Sequence, residues 1–117
     1  MTSKDKTEII VAAAEDLKAE NIEILDVRDK TSVADFFVVC SGTSDRHVAS
    51  IADKVFERMA ELKSKPVRTE GDRSGWVLQD YGDVLLHVMR DEQRQFYDLE
   101  TLWKHAQVDP DLPKAEL

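Results

Sequence analysis

A chain of 117 residues is long enough for one domain with its own apolar core, and its 42% hydrophobic content supplies that core without staples. Asp plus Glu number 24 against 16 Lys plus Arg, and this net charge of -8 disfavours direct DNA or RNA binding while favouring a basic protein partner. One cysteine, no signal-peptide pattern over residues 1–6 and no apolar run near ~20 residues point to a reducing, cytoplasmic setting without a membrane span.

In chain order, Ile9, Ile10, Ala13, Ala14 and Leu17 recur at helical spacing, which predicts a helix over residues 4–20 with Asn21 as its stop. Residues 22–28 read as a strand, followed by a polar loop over 29–32. Residues 34–40 are nearly all apolar and β-prone, as expected of a central strand buried on both faces. The Ser41-Gly42-Thr43-Ser44 turn breaks that strand, and Thr43 or Ser44 can cap the next helix. This helix, over 45–64, carries the apolar stripe Val48, Ile51, Ala52, Val55, Phe56, Met59 and Leu62, and Pro66 closes it. A short strand over 67–69 precedes a loop at 71–74.

Residues 75–90 read as two strands joined at Tyr81-Gly82, because apolar alternation flanks a Gly able to take positive φ. A two-residue turn there sets Asp80 against Asp83, Leu78 against Leu85 and Trp76 against His87. By alternation Val77, Gln79, Val84, Leu86 and Val88 share one face. Trp76, Leu78, Leu85, His87 and Met89 share the other, with Asp80 and Asp83 at its end. A last helix starts near Asp91 and offers Phe96, Leu99, Leu102, Trp103 and Ala106 to the core. The domain therefore covers 1–106, and 107–117, with Pro110, Pro113 and several acids, reads as a disordered tail. The expected fold is α/β of α+β type: helix, strand, strand, helix, three strands and a helix, forming one mixed five-stranded sheet. Only the central strand-helix-strand can make a parallel crossover. With helices mainly on one side, much of the Trp76 face is left open as a docking surface.

The turn at Gly42 precedes a helix amino terminus, where backbone amides can hold an anion. With Asp26 and Asp35, or Asp80 and Asp83, it suggests a metal-dependent nucleotidyltransferase as an alternative function. The carboxylate spacing names no metal, and the turn lacks the lysine of a phosphate-binding loop. His47, His87 and His105 form no metal-binding set, Cys40 reads as a small core side chain, and no catalytic residue or cofactor is called for.

Several blocks in order resemble the ribosomal silencing factors, the RsfS family to which plant Iojap is related. They are Cys-Ser-Gly-Thr-Ser-Asp-Arg-His-Val at 40–48, Ser-Ile-Ala-Asp at 50–53, Glu70-Gly71, and Gly-Trp-Val-Leu-Gln-Asp-Tyr-Gly-Asp-Val at 75–84. His87-Val88-Met89, Arg94, Phe96-Tyr97, Leu99-Glu100 and Leu102-Trp103 continue the match, which spans residues 22–106. The resemblance implies a nucleotidyltransferase-like fold without a working active site, and a non-enzymatic translation repressor. Such a repressor binds ribosomal protein L-fourteen on the large ribosomal subunit and blocks association with the small subunit, lowering protein synthesis when nutrients are scarce. Carried onto this chain, the partner-binding surface comprises Trp76, Leu78, Asp80, Tyr81, Asp83, His87 and Met89. Trp76 and Met89 would be apolar anchors, and Asp80 and Asp83 acceptors for Arg or Lys. The same open face could pair free molecules as a homodimer.

Overall fold

The computed structural model describes residues 1–71, 75–98 and 100–101. The elements are α1 (Ser3–Asp16), β1 (Glu20–Asp26), β2 (Phe36–Gly42), α2 (Asp45–Glu61), β3 (Arg68–Glu70), β4 (Trp76–Asp80), β5 (Val84–Arg90) and α3 (Asp91–Tyr97). The expected element order is the observed one. The expected positions at Leu99, Leu102, Trp103 and Ala106 and the tail over 107–117 lie outside the described residues.

Helix boundaries follow from capping chemistry. Thr2 and Asp5 exchange side-chain-to-backbone hydrogen bonds, so α1 opens with a capping box. The helix stops before Asn21 because Lys18 turns left-handed, at φ 59°. Its amide then donates to the Glu15 carbonyl at 2.9 Å and that of Ala19 to Ala14 at 3.1 Å, a Schellman closure. Lys63, at φ 58°, ends α2 in the same way, with Ser64 bonded back to Met59. Glycine usually occupies such a position, so a lysine gives no stop signal in the sequence. Ser44 caps α2 by accepting from the His47 amide.

Among the described residues the five strands form one sheet in the order β1-β2-β5-β4-β3. Only β2 and β5 are parallel neighbours; the other pairs are antiparallel. The unit β2-α2-β3 does cross over, but its two strands are separated by β5 and β4. One sheet face packs Val38, Cys40, Val77, Val84, Leu86 and Val88 against α1 and α2, burying Ile10, Ala14, Val48, Ile51, Val55 and Met59. Burial pushes the Cys40 thiol up to about 12, which suits a core residue and not a nucleophile. Phe56 and Leu62, expected in the buried stripe of α2, are 40% and 49% exposed.

His47 ties the two long helices together. Its Nδ1 accepts from the Thr43 amide at 2.8 Å, so its Nε2 carries the proton and donates to the Leu17 carbonyl at 2.7 Å. His47→Ala leaves both backbone groups without these partners and should lower unfolding free energy by about 1–3 kcal/mol. Denaturant titration measures this; His47→Phe, which keeps a ring but neither bond, should show the same loss.

Candidate partner-binding face

The hairpin register differs from the expected one. Trp76 pairs with Met89, Leu78 with His87 and Asp80 with Leu85, while the Tyr81 amide donates to the Val84 carbonyl at 2.8 Å. The two-residue turn is therefore Gly82-Asp83, with Gly82 at φ 89°, and Asp80 does not face Asp83. Side-chain hydrogen bonding selects this turn: Asp80 Oδ1 accepts from the Gly82 amide at 2.8 Å. Lys6 of α1 then clamps it, donating to Asp83 Oδ1 at 2.8 Å and to the Tyr81 carbonyl at 3.0 Å. A shift of two residues preserves alternation, so the expected face memberships of β4 and β5 stand.

Tyr81 does not belong to the Trp76 face. It lies in the helix-covered core, 3% exposed, and its hydroxyl donates to Gln79 Oε1 at 2.6 Å. Gln79 in turn donates to the Ala52 carbonyl on α2 at 3.0 Å. Burial raises the Tyr81 phenol well above its ordinary range, so it stays protonated and serves this chain of bonds.

The second face is not open either. Leu78, Leu85, His87 and Met89 are at most 4% exposed. Val27, Val33 and Ala34 from the connection between β1 and β2 pack with Phe37, Val39 and these strand residues into a second core. That connection folds inward because the Val27 amide donates to the Asp35 carbonyl and the Lys30 and Thr31 amides donate back to Val27. At the other end α3 lies against β5 and β2 through Arg94, which is buried, where a core apolar face was expected. Arg94 donates to Ser41 Oγ at 2.9 Å and to Glu100 at 2.7 Å, so its charge is compensated. Phe96, expected in the core, is instead 81% exposed.

Trp76 remains at the boundary between core and surface, half-buried. Its Nε1 donates to His87 Nδ1 at 3.1 Å, and the Tyr97 ring lies 4.7 Å from its own. Phe37 also meets His87 edge-on, with ring centroids 5.8 Å apart. His87 is thus a neutral imidazole protonated on Nε2, an atom that has no hydrogen-bond partner among the described residues. Burial pushes its pKa down to about 4. Asp80 and Asp83 are partly exposed at the turn, Asp80 within 4.0 Å of Arg68. Of the seven expected contact residues, Trp76, Asp80 and Asp83 reach the surface; Leu78, His87 and Met89 form the floor beneath Trp76. Alternation assigned the faces correctly, but it carries no signal for the inward-folded loop that covers one of them.

The Gly42 turn and the carboxylates do not make a common site. Gly42 pairs with Arg90 at one end of the parallel β2–β5 pair, whereas Phe36 and Val84, beside Asp35 and Asp83, pair at the other. Six residue steps of about 3.3 Å separate these ends by roughly 20 Å. Three amides here are engaged within the protein: Thr43 donates to His47 Nδ1, His47 to Ser44 Oγ and Val48 to the Ser44 carbonyl. Gly42 allows a close approach to α2, since a Cβ there would stand 2.8 Å from Val48 Cγ2 and 2.9 Å from its amide nitrogen. Asp26 is engaged by Arg28 at 2.6 Å, and no group of three or more metal-capable side chains occurs among the described residues. No described helix is long and apolar enough to cross a membrane.

The family model described as "Ribosomal silencing factor during starvation" (RsfS) matches residues 1–116. The chain is 39% identical over 107 residues to the ribosomal silencing factor RsfS of Bacillus subtilis, covering 91% of each chain. It is 36% identical to that of Halalkalibacterium halodurans, covering 91% of this chain and 92% of the other. A crystal structure of a Chromobacterium violaceum protein superposes with a TM-score of 0.86 at 32% identity, covering 99% of this chain and 98% of that one. With the whole domain matched in sequence and in fold, the chain belongs to the RsfS family of ribosomal silencing factors, ribosome-associated regulators of translation.

Proposed function

We propose that this protein represses translation without catalysing a reaction, by binding the large ribosomal subunit through ribosomal protein L-fourteen and blocking association with the small subunit when nutrients are scarce. The observation that carries this reading is the held indole of Trp76 at the surface, within a chain of RsfS type. A tryptophan anchored by a hydrogen bond and a ring contact has little conformational freedom to lose on binding, as a hot spot requires. The net charge of -8 suits a basic protein and is repelled by neighbouring RNA, which restricts binding to the protein patch. Asp80 and Asp83 stand at the end of this face as acceptors for Arg or Lys. Leu78, His87 and Met89 support Trp76 from below, and Tyr81 supports the turn from the other side. The site of action is the cytoplasm, and the same patch can pair two free molecules.

Co-sedimentation of the purified protein with isolated large and small subunits over a salt series tests the proposal. The expected result is selective binding to the large subunit, weakening as salt rises, with fewer joined ribosomes formed. Binding to neither subunit, or equal binding to both, would overturn it.

A further inference from the structure

Each of the two acids at the hairpin turn is held by one oxygen. Asp80 Oδ1 accepts from the Gly82 amide at 2.8 Å, and Asp83 Oδ1 accepts from Lys6 Nζ at 2.8 Å. The second oxygen of each carboxylate makes no hydrogen bond among the described residues. Arg68 stands 4.0 Å from Asp80 Oδ2, beyond hydrogen-bonding reach. It is half exposed and shared with Glu70 at 3.6 Å, so this pairing is weak and another cation can replace it. A carboxylate fixed at one oxygen and open at the other loses little freedom when a partner's cation arrives.

What fixes Asp83 comes from the other end of the chain. Lys6 lies in the first turn of α1, which the Thr2–Asp5 capping box closes, and its own amide donates to the Thr2 carbonyl at 3.0 Å. The Lys6 side chain is only 17% exposed, and its ammonium donates to the Tyr81 carbonyl at 3.0 Å as well as to Asp83. These two acceptors flank Gly82. Beyond its chain neighbours nothing stands within 4 Å of where a Gly82 Cβ would be, so hydrogen bonds hold the tip of the turn, not packing. The Asp83 carbonyl accepts from the Asp35 and Phe36 amides at 2.7 and 3.2 Å, which anchors the backbone but leaves the carboxylate to Lys6.

We propose that Lys6 is a positioning residue of the partner-binding face, holding the turn so that the open oxygens of Asp80 and Asp83 meet a lysine or arginine of the basic partner. This rests on the large-subunit reading above. Removing Lys6 has two effects of opposite sign. Loss of a positive charge makes the protein more acidic, which speeds capture of a basic partner. Loss of the clamp frees the turn and the Asp83 carboxylate, which weakens the formed complex and so acts on dissociation.

The experiment measures association and dissociation rates of the unaltered protein and of Lys6→Met on immobilised large subunits. Circular dichroism and the denaturation midpoint check that the fold is retained. Lys6→Met is expected to associate at least as fast as the unaltered protein and to dissociate about tenfold faster. A lysine that only stabilised the fold would change the amount of competent protein, not the rate at which bound protein leaves. An unchanged dissociation rate for folded Lys6→Met would overturn the positioning role while leaving the large-subunit reading in place. Failure of the unaltered protein to bind large subunits would overturn both. If Lys6→Met proves unfolded, Lys6→Gln, which keeps a donor but not the charge, replaces it under the same criteria.

Discussion

Trp76→Ala should weaken binding to the large ribosomal subunit by more than ~2 kcal/mol, a loss of about 30-fold or greater. The indole contributes a large apolar area, and its position is set before binding by the His87 hydrogen bond and the Tyr97 ring. Removing it also strips His87 Nδ1 of the donor it accepts from, so some loss of stability accompanies the loss of contact. Trp76→Phe separates the two effects. It keeps much of the ring area but cannot donate to His87, so it should retain part of the affinity while showing the full loss of that hydrogen bond in denaturation. A folded Trp76→Ala protein that binds large subunits as tightly as the unaltered protein would remove Trp76 from the interface.

Stability should fall by about 3 kcal/mol between neutral pH and pH 4 on account of His87 alone. In the unfolded chain this imidazole titrates near 6.5, and in the fold burial lowers it to about 4. Below 6.5 the unfolded state takes up a proton that the folded state refuses, so acid favours unfolding. The contribution is fully present above pH 6.5 and is lost progressively as pH falls through the folded value. A second proton on the ring would sit on Nδ1, directly against the Trp76 N–H, setting donor against donor. The exposed carboxyl groups of Asp5 and Asp26 are held below their ordinary range, by hydrogen bonds from Thr2 and Arg28 respectively. Their contributions disappear only below about pH 4, outside the His87 window. Urea titrations at pH 7 and pH 4.5 should therefore show a marked drop for the unaltered protein and a much smaller one for His87→Gln. Equal drops in the two proteins would rule out His87 as the source.

The two results bear on each other through the shared hydrogen bond. Acid that charges His87 in the fold would also release Trp76 from its position, so large-subunit affinity should decline toward the acid end of the range over which stability falls. This coupling distinguishes a tryptophan oriented from beneath from one that is merely exposed.

Much of the architecture was legible from residue order alone because its signals are local. Apolar spacing located α1 and α2, alternation assigned the two faces of β4 and β5, and the Thr43-Ser44 pair marked the start of α2, where Ser44 proves to be the cap. The matched blocks from Cys40 to Trp103 were specific enough to indicate the family. Face assignment survived a wrong hairpin turn because a register shift of two residues leaves every side chain on its own side. What depended on distant parts of the chain was decided by tertiary contacts. Lys6 clamps Asp83 and the Tyr81 carbonyl at the turn, and the connection carrying Val27, Val33 and Ala34 closes over a face that alternation could only leave open. Arg94 turns inward because Ser41 and Glu100 are placed to receive its charge, which sends Phe96 outward against its hydropathy. Local sequence therefore determined the elements, the two faces of β4 and β5 and the family. The tertiary structure alone decided which apolar side chains are floor and which are surface, since burial depends on groups brought together from far apart in the chain.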